Sequence, residues 1–520
     1  MIYKAALRSE LTVFMRVSWT TVDANGIAEI QGVPRELAGH WSSRSMAVKA
    51  RTAVLVAERE VALGRTLTPG ERVEAAEMAT LQTRPTKRDA DTATVELRSR
   101  WQAEARSLGM EFGRWRDDVF GFQRRPSLSP AQVEKRALAL LAEGPATFGR
   151  AQVSEAVAAA LVPSGVGAKE TLAEIEGLTD RVLAHPEVLA LTPVRLLDPP
   201  QAALRSDGLM ASERHGAALY ATSAVLRAEA VVLDAATALD PRVPRPQPRD
   251  VDLALTRCPL GSDQAEAVRR VTLNPEAISV VAGAAGVGKS RLLRVLRSAY
   301  EDAGTPVVGF APSAMAASVL TEESGIRADT LASFAFGARF GKSQVQSGSV
   351  VVIDEAGMAR TDELAVVIDA ARSAGGKVVL VGDPAQLGPV GPGGLFRLMA
   401  ADRGIEVGTV RRFAAAWEAN ASLALRARDP AVLSTYARHG RISGGEREKV
   451  LDSAFEAWSD HRGAGRPVIM SASDHATVDE LARRARAARV AAGEVEPTGV
   501  ALGNQRVGVG DEVVTLRNDR

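Results

Sequence analysis

The chain has 520 residues, 64 basic against 63 acidic for a net charge of +1, and is 46% hydrophobic and 4% aromatic. That length predicts roughly three or four domains, and so even a charge balance neither requires nor excludes a nucleic-acid partner, since a neutral body can carry a local basic groove. The single cysteine, Cys258, excludes an internal disulfide and fits a reduced, cytoplasmic setting; the start MIYKAALRSELTVF lacks a signal-peptide core, no apolar run is long enough for a membrane span, and no fixed-period repeat is visible.

Residues 1–122 alternate short extended patches with long helical ones, and helices are expected over Arg35–Glu60, after Pro34, and over Thr92–Leu108. The stretch QRRPSLSP, 123–130, breaks both regular structures and reads as a boundary. Residues 131–239 carry apolar residues at helical spacing, as in VEKRALALLAEG and GRAQVSEAVAAAL. A proline-rich run, DPRVPRPQPRDVD, 240–252, predicts an extended, semi-rigid linker.

Beyond the linker, apolar runs of strand length appear at 278–282, 306–311, 350–353 and 377–381, separated by helical stretches. Continuous rather than alternating apolar strands predict burial on both faces, hence an α/β fold with a parallel sheet covered by helices. A further α/β unit is expected from about 405, with an apolar run PVIM at 467–470, a helix from His475 to Ala492, and a strand-like DEVVTL near the terminus.

The strongest chemical signal is GAAGVGKS, Gly283, Ala284, Ala285, Gly286, Val287, Gly288, Lys289 and Ser290, with an apolar strand before it and a helical stretch after it. This is a complete P-loop pattern: glycines let backbone N–H groups wrap a triphosphate, Lys289 brings a positive charge to the outer phosphates, and Ser290 offers a hydroxyl to Mg²⁺. The apolar strand VVVI ends in Asp354 and Glu355; the first is expected on Mg²⁺ and the second as the carboxylate that activates the attacking water. In VLVGDPAQLGPV, 379–390, Gln386 is expected to sense the γ-phosphate and Asp383 to support the metal site. A chance glycine-rich turn, a solvated Asp-Glu pair and an ordinary loop glutamine are the bland readings, and they lose because the three motifs occur together in order.

Together these motifs resemble a superfamily 1 DNA helicase of the RecD-like branch, and more specifically the helicase half of conjugative relaxases of the MobF group (TraI/TrwC/TraA-like), best matched over 259–440. The resemblance implies a RecA-like P-loop domain and a role for several further residues. Gln264 in PLGSDQAEAV is similar to the adenine-reading glutamine, with Ser262 able to cap its helix. FAPSAMAAS with Ser313 and ADTLASF with Thr330 and Phe334 look like DNA-contacting motifs, and Phe336 and Phe340 offer further rings whose bland reading is helical core. VRRFAAAW resembles the motif whose arginine touches the γ-phosphate, assigned to Arg412 with Arg411 as the fallback.

EIQGVPRELAGHWSSRS, 29–45, and ATLQTRPTK, 79–87, resemble segments near the end of the relaxase domain. Two departures stand beside these matches. None of the six histidines, His40, His185, His215, His439, His461 and His475, forms an H-x-H pair, and Tyr3, the one tyrosine near the start, has no catalytic context. The late helicase motifs, with their arginine finger, are not recognisable before Arg520.

The resulting expectation is a piece of a relaxase–helicase: residues 1–122 a remnant of the C-terminal part of a relaxase domain, 123–239 a helical helicase-associated domain, 240–252 a linker, 253–403 the first RecA-like P-loop domain and 404–520 a partial second one. Its activity would be ATP hydrolysis coupled to single-stranded DNA, impaired by truncation and without nicking. ATP and Mg²⁺ would be cofactors, with single-stranded DNA and other conjugation-machinery proteins as partners and 5′→3′ movement implied. The alternatives are a P-loop ATPase or nucleotide switch that binds DNA without unwinding, and a non-enzymatic DNA-binding scaffold. An ABC-type transport ATPase is disfavoured because no LSGGQ-like stretch occurs.

Overall fold

The computed structural model describes residues 1–20, 22, 26–33, 43–63, 67, 69–83, 94–107, 119, 128–161, 167–191, 202, 218–342, 344–502 and 505–513. They fall into two compact units, one of Met1–Gln31 with Val119–Val432 and one of Gly32–Asp118 with Leu433–Arg520.

The first unit begins as a helical bundle. Helices Ile2–Met15, Pro130–Glu143, Arg150–Ala160 and Ala168–Leu183 close around Ala5, Val133, Ala137, Leu141, Val153, Val157, Ile175 and Val182. The helix Pro130–Glu143 starts on a reciprocal cap in which Ser129 Oγ accepts from the Gln132 N–H and the Gln132 side chain accepts from the Ser129 N–H. Strands β1 (Val188–Ala190) and β2 (Tyr220–Thr222) pair antiparallel beside it. The opening helix thus packs with residues 130–183, so a boundary at 122 does not separate residues 1–31 from the bundle.

The rest of this unit is a parallel sheet. Its strands are β3 (Ile278–Gly283), β4 (Val307–Ala311), β5 (Ala328–Thr330), β6 (Val350–Ile353), β7 (Lys377–Gly382) and β8 (Ile405–Val407), in the order β5-β4-β6-β7-β3-β8. Every ladder is parallel. The central strands β3, β6 and β7 are buried at every residue, which is why their sequences run apolar without alternation. One face packs Ile278, Val280, Val351, Ile353, Val378 and Leu380 against Val232, Ala235, Leu364 and Ile368. The other packs Val281, Val350, Val352, Val379 and Val381 against Val268, Val271, Leu292 and Leu296.

Three expected boundaries shift. The helix Ser223–Thr237 supplies core to the sheet, so the helical segment 123–239 is not closed off from it. The proline run turns helical at Pro248–Arg257, where Pro248 fits the first helical turn. β8 completes the sheet beyond 403, so the P-loop unit does not stop there.

The second unit holds helices Ser43–Leu63, Pro69–Gln82, Thr94–Ser107, Arg447–Gly463 and His475–Ala491. Its strands among the described residues are β9 (Val500–Leu502) and β10 (Gln505–Val507), an antiparallel pair. Arg484 ties two of its helices together, bonded to Glu448 at 2.7 Å, Asp452 at 2.6 Å and Glu480 at 2.7 Å. The run 467–470 forms no strand, and Ile469 is 92% exposed; no parallel ladder forms after β8 among the described residues. Pro34, His40, His215, most of QRRPSLSP and the end of DEVVTL lie outside the described residues.

Candidate functional site

The site is assembled at the C-terminal ends of β3, β6 and β7, where a doubly covered parallel sheet leaves its loops free to meet a ligand. β3 runs into the P-loop, and the helix Lys289–Asp302 starts directly after Gly288. Gly286 and Gly288 hold φ of 87° and 84°, the left-handed region that favours glycine. A Cβ at Gly288 would stand 2.6 Å from the Gln264 amide nitrogen, and one at Gly286 would stand 2.6 Å from Arg412 Cβ. The loop is therefore glycine for conformation and for room. Lys289 Nζ donates to Gly283 O at 3.1 Å, closing the loop on itself.

Gln264 is 2% exposed. Its side-chain oxygen accepts from the Gly261 N–H at 3.1 Å, and its nitrogen donates to Val287 O at 2.8 Å and Gly288 O at 3.1 Å. The amide nitrogen thus faces two P-loop carbonyls, and the side chain expected to read a base also stands as a strut under the loop. Ser262 is not the cap of its helix: Gly261 holds that position and Ser262 is the first helical residue.

β6 ends in Asp354, whose carboxylate accepts the Glu355 N–H at 2.9 Å. Burial pushes the Asp354 carboxyl up to about 6; the Glu355 N–H and the Lys289 charge oppose the rise, and the Glu355 and Glu323 charges add to it. A carboxyl so held gains from a cation. Glu355 itself takes a left-handed φ of 49° at the turn into Ala356–Met358, a conformation uncommon for a non-glycine residue.

β7 ends in Gly382 and leads through Asp383 to Gln386. Asp383 is 4% exposed and accepts from the Ala385 N–H at 3.0 Å and from Arg426, Nη2 to Oδ1, at 2.5 Å. Burial raises its carboxyl, but the Arg426 and Ala385 bonds and the Arg426 and Lys289 charges outweigh that and hold it below its ordinary value. Its partner is thus an arginine salt bridge, where support of a metal site was expected. The Gln386 carbonyl accepts from Arg397 at 3.3 Å, and its side-chain amide has no partner among the described residues.

The two adjacent arginines separate. Arg411 is bonded to Asp263, to Val287 O at 3.2 Å and to Thr409 O at 2.9 Å. Burial alone would raise Asp263, but Arg411 and the Thr409 and Gln264 N–H groups hold it well below the usual carboxylate range. Arg412 lies against Gly286, is exposed as a residue, and has no partner among the described residues. Of the pair, Arg411 is committed and Arg412 is not.

The expected DNA-side residues divide differently. Ser313 Oγ caps the helix Ala314–Ser324, accepting from the Ala316 N–H at 3.2 Å, and Thr330 Oγ1 caps Leu331–Ala338, accepting from the Ser333 N–H at 3.1 Å. Phe334 is 7% exposed and sits edge-on to Phe310 with ring centroids 4.9 Å apart, so it belongs to the core and not to a DNA surface. Phe336 and Phe340 are 60% and 62% exposed, with centroids 5.2 Å apart. Sequence reasoning missed Arg426, Asp263 and the strut role of Gln264; their partners lie far along the chain or on backbone atoms, and no local pattern announces them. Among the described residues no group of three or more His, Cys, Asp or Glu side chains could hold a metal, and no helix is long and apolar enough to cross a membrane.

Residues 259–447 match the AAA domain family and residues 1–108 the TrwC relaxase family. Conjugal transfer protein TraA of Rhizobium radiobacter is 34% identical over 310 residues, 58% of this chain and 28% of the relative. TraA of Agrobacterium fabrum is 30% identical over 351 residues, 65% of this chain and 30% of the relative. The multifunctional conjugation protein TraI of Escherichia coli is 33% identical over 147 residues, 27% of this chain and 8% of the relative. The chain thus spans less than a third of the length of these TraA relatives. Two solved Pif1 helicase structures, one of a pair acting at forked duplex DNA and one from Candida albicans, align with 19% identity. They cover 38% and 41% of this chain and 51% and 55% of those chains, at TM-scores of 0.25 and 0.27. The chain is therefore similar to the TrwC relaxase family over residues 1–108 and to the AAA domain family over residues 259–447, and to the TraA and TraI conjugation proteins over part of their length. The TrwC match leaves the expected absence of nicking without support.

Proposed function

We propose that this chain is an ATP-hydrolysing module of a conjugative relaxase–helicase, which couples turnover to movement on single-stranded DNA and acts in the cytoplasm. The observation that carries the reading is a strutted P-loop at the sheet's C-terminal edge, with an unpartnered Arg412 against its Gly286 and with its Lys289 charge acting on Asp354, the residue bonded to the Glu355 N–H.

In this reading the backbone N–H groups of 284–290 and Lys289 take the β- and γ-phosphates, Lys289 exchanging its bond to Gly283 O for the ligand. Ser290 and Asp354 are the groups that would hold Mg²⁺. A hydroxyl and a single carboxylate are hard oxygen donors of the type that ion takes beside phosphate oxygens, and the raised Asp354 carboxyl is a group that a cation would relieve. When bound, the ion supplies charge neutralisation across the phosphates. Glu355 accepts a proton from the attacking water. Arg412 stabilises charge growing on the γ-phosphate, and Gln386, its amide uncommitted, reports the loss of that phosphate.

DNA enters the reading through the chain's resemblance to the relatives. Ser313 and Thr330 stand at helix N-termini where N–H groups favour phosphate, and Phe336 and Phe340 offer exposed rings to bases. The deciding experiment is ATP turnover with and without a single-stranded oligonucleotide, for the chain and for Lys289→Ala. DNA-stimulated hydrolysis that vanishes in the variant is expected; turnover equal in the two proteins removes the P-loop as the site.

A further inference from the structure

Residues 408–426 form a strap that leaves β8, crosses the P-loop and returns to the end of β7. It is fixed at two places. At the first, the Arg411 N–H donates to Gly286 O at 2.8 Å while its guanidinium bonds Asp263 and Val287 O. At the second, Arg426 reaches from the helix Ala416–Arg426 onto Asp383, Nε standing 3.0 Å from Oδ1 and 3.2 Å from Oδ2. Arg412 lies between the two anchors, and Gln386 follows Asp383 in the same loop.

Nothing in the sequence motifs assigns Arg426. We propose that Arg426 is a positioning residue that ties the Arg412 strap to the Gln386 loop, so that the state of the phosphate site is transmitted to the strap. This rests on the phosphate-site reading above. The physical argument is one of competing charges. Without nucleotide, Asp383 is served by both Arg426 and the nearby Lys289 charge. Phosphates that engage Lys289 neutralise that second source and bring negative charge toward Asp383. The carboxylate then depends more on Arg426, whose guanidinium is drawn to the same place. The anchor tightens when nucleotide binds and slackens when product leaves. A buried carboxylate stripped of its arginine is costly to keep ionised, so loss of Arg426 frees the loop as well as the strap.

Amide hydrogen exchange tests this on the full chain, with Arg426→Gln, Arg426→Lys and Asp383→Asn. In the absence of nucleotide, Arg426→Gln is expected to raise exchange at both 383–387 and 408–415 by about tenfold or more, equivalent to ~1.4 kcal/mol of local opening, with β3 and β6 unchanged. Arg426→Lys restores part of the protection, and Asp383→Asn reproduces the loss. With a non-hydrolysable ATP analogue and Mg²⁺, the strap gains protection in the parent protein and fails to gain it in Arg426→Gln. An increase confined to residues around 426, or a strap that responds to the analogue equally in parent and variant, overturns the proposal. Absence of analogue binding to the parent would instead sink the phosphate-site reading and leave the nucleotide-free comparison to decide the anchor. Arg426→Lys and Asp383→Asn carry the same comparison where Arg426→Gln does not fold.

Discussion

The Cβ of Arg412 stands 2.6 Å from where a side chain on Gly286 would begin. The arginine from the strap and the glycine of the phosphate loop are thus fitted to each other, and the glycine cannot be enlarged without displacing one of them.

Gly286→Ala is expected to weaken nucleotide binding and to destabilise the fold. The residue holds φ at 87°, and strain of that kind costs about 1–3 kcal/mol for a non-glycine residue. Thermal unfolding with and without a nucleotide analogue checks both effects. An alanine variant with parental stability and affinity would mean that the loop does not hold this conformation.

Glu355→Gln is expected to retain nucleotide affinity and lose turnover, because an amide cannot take the proton of the attacking water. Equilibrium binding of a fluorescent ATP analogue and steady-state hydrolysis separate the two. Affinity falling in step with rate would make Glu355, with its left-handed backbone, a structural turn residue.

Much of this site was legible because its parts are consecutive in the chain. The P-loop is a contiguous pattern, and β3, β6 and β7 announce themselves as unbroken apolar runs, since both faces are covered. What could not be read is what depends on distant partners. Arg426 meets Asp383 across 43 positions and Arg411 meets Asp263 across 148. Gln264 was legible as a residue of interest, but its amide is spent on the carbonyls of Val287 and Gly288, which no side-chain pattern encodes. β8 is three residues long and gains its place only by pairing with β3. PVIM has a strand's composition but no neighbouring strand to pair with among the described residues, and composition without a ladder does not make a strand.

The stability of the chain should depend on pH through Asp354. Its carboxyl is raised from 3.8 to about 6 in the folded state, so between these values the folded chain binds a proton that the unfolded chain has lost. The contribution is complete below the unfolded value and is lost as pH rises through the folded one. Asp354→Asn has no such loss. Without Mg²⁺, the variant's advantage in urea unfolding should grow from near zero at the acid end to roughly 3 kcal/mol above the folded value. Added Mg²⁺ should reverse the order at neutral pH by favouring the ionised carboxylate. A difference between the two proteins that does not change with pH would show that the Asp354 carboxyl titrates alike in the folded and unfolded chain, without the rise that burial is expected to cause.

The last prediction separates core from DNA surface within one short segment. Phe334 packs edge-on against Phe310 and is nearly sealed from solvent, whereas Phe336 and Phe340 leave most of their surfaces in water. Phe334→Ala should therefore cost about 3–5 kcal/mol of stability, the usual range for a buried ring, and alter DNA binding only through the fold. Phe336→Ala and Phe340→Ala should leave the unfolding temperature near that of the parent, because each removes a ring that is mostly solvated. If they stack on bases, each should weaken binding to a single-stranded oligonucleotide by about 1–3 kcal/mol. Ionic contacts add to that stacking, so affinity in the parent should fall with salt at a slope of about −0.7 per phosphate engaged, and the two aromatic variants should keep the same slope while losing affinity. Titration of a labelled oligonucleotide at several salt concentrations gives both quantities. Aromatic variants that bind like the parent would move the DNA surface away from this helix, and a parent whose affinity ignores salt would remove the phosphate contacts expected at Ser313 and Thr330.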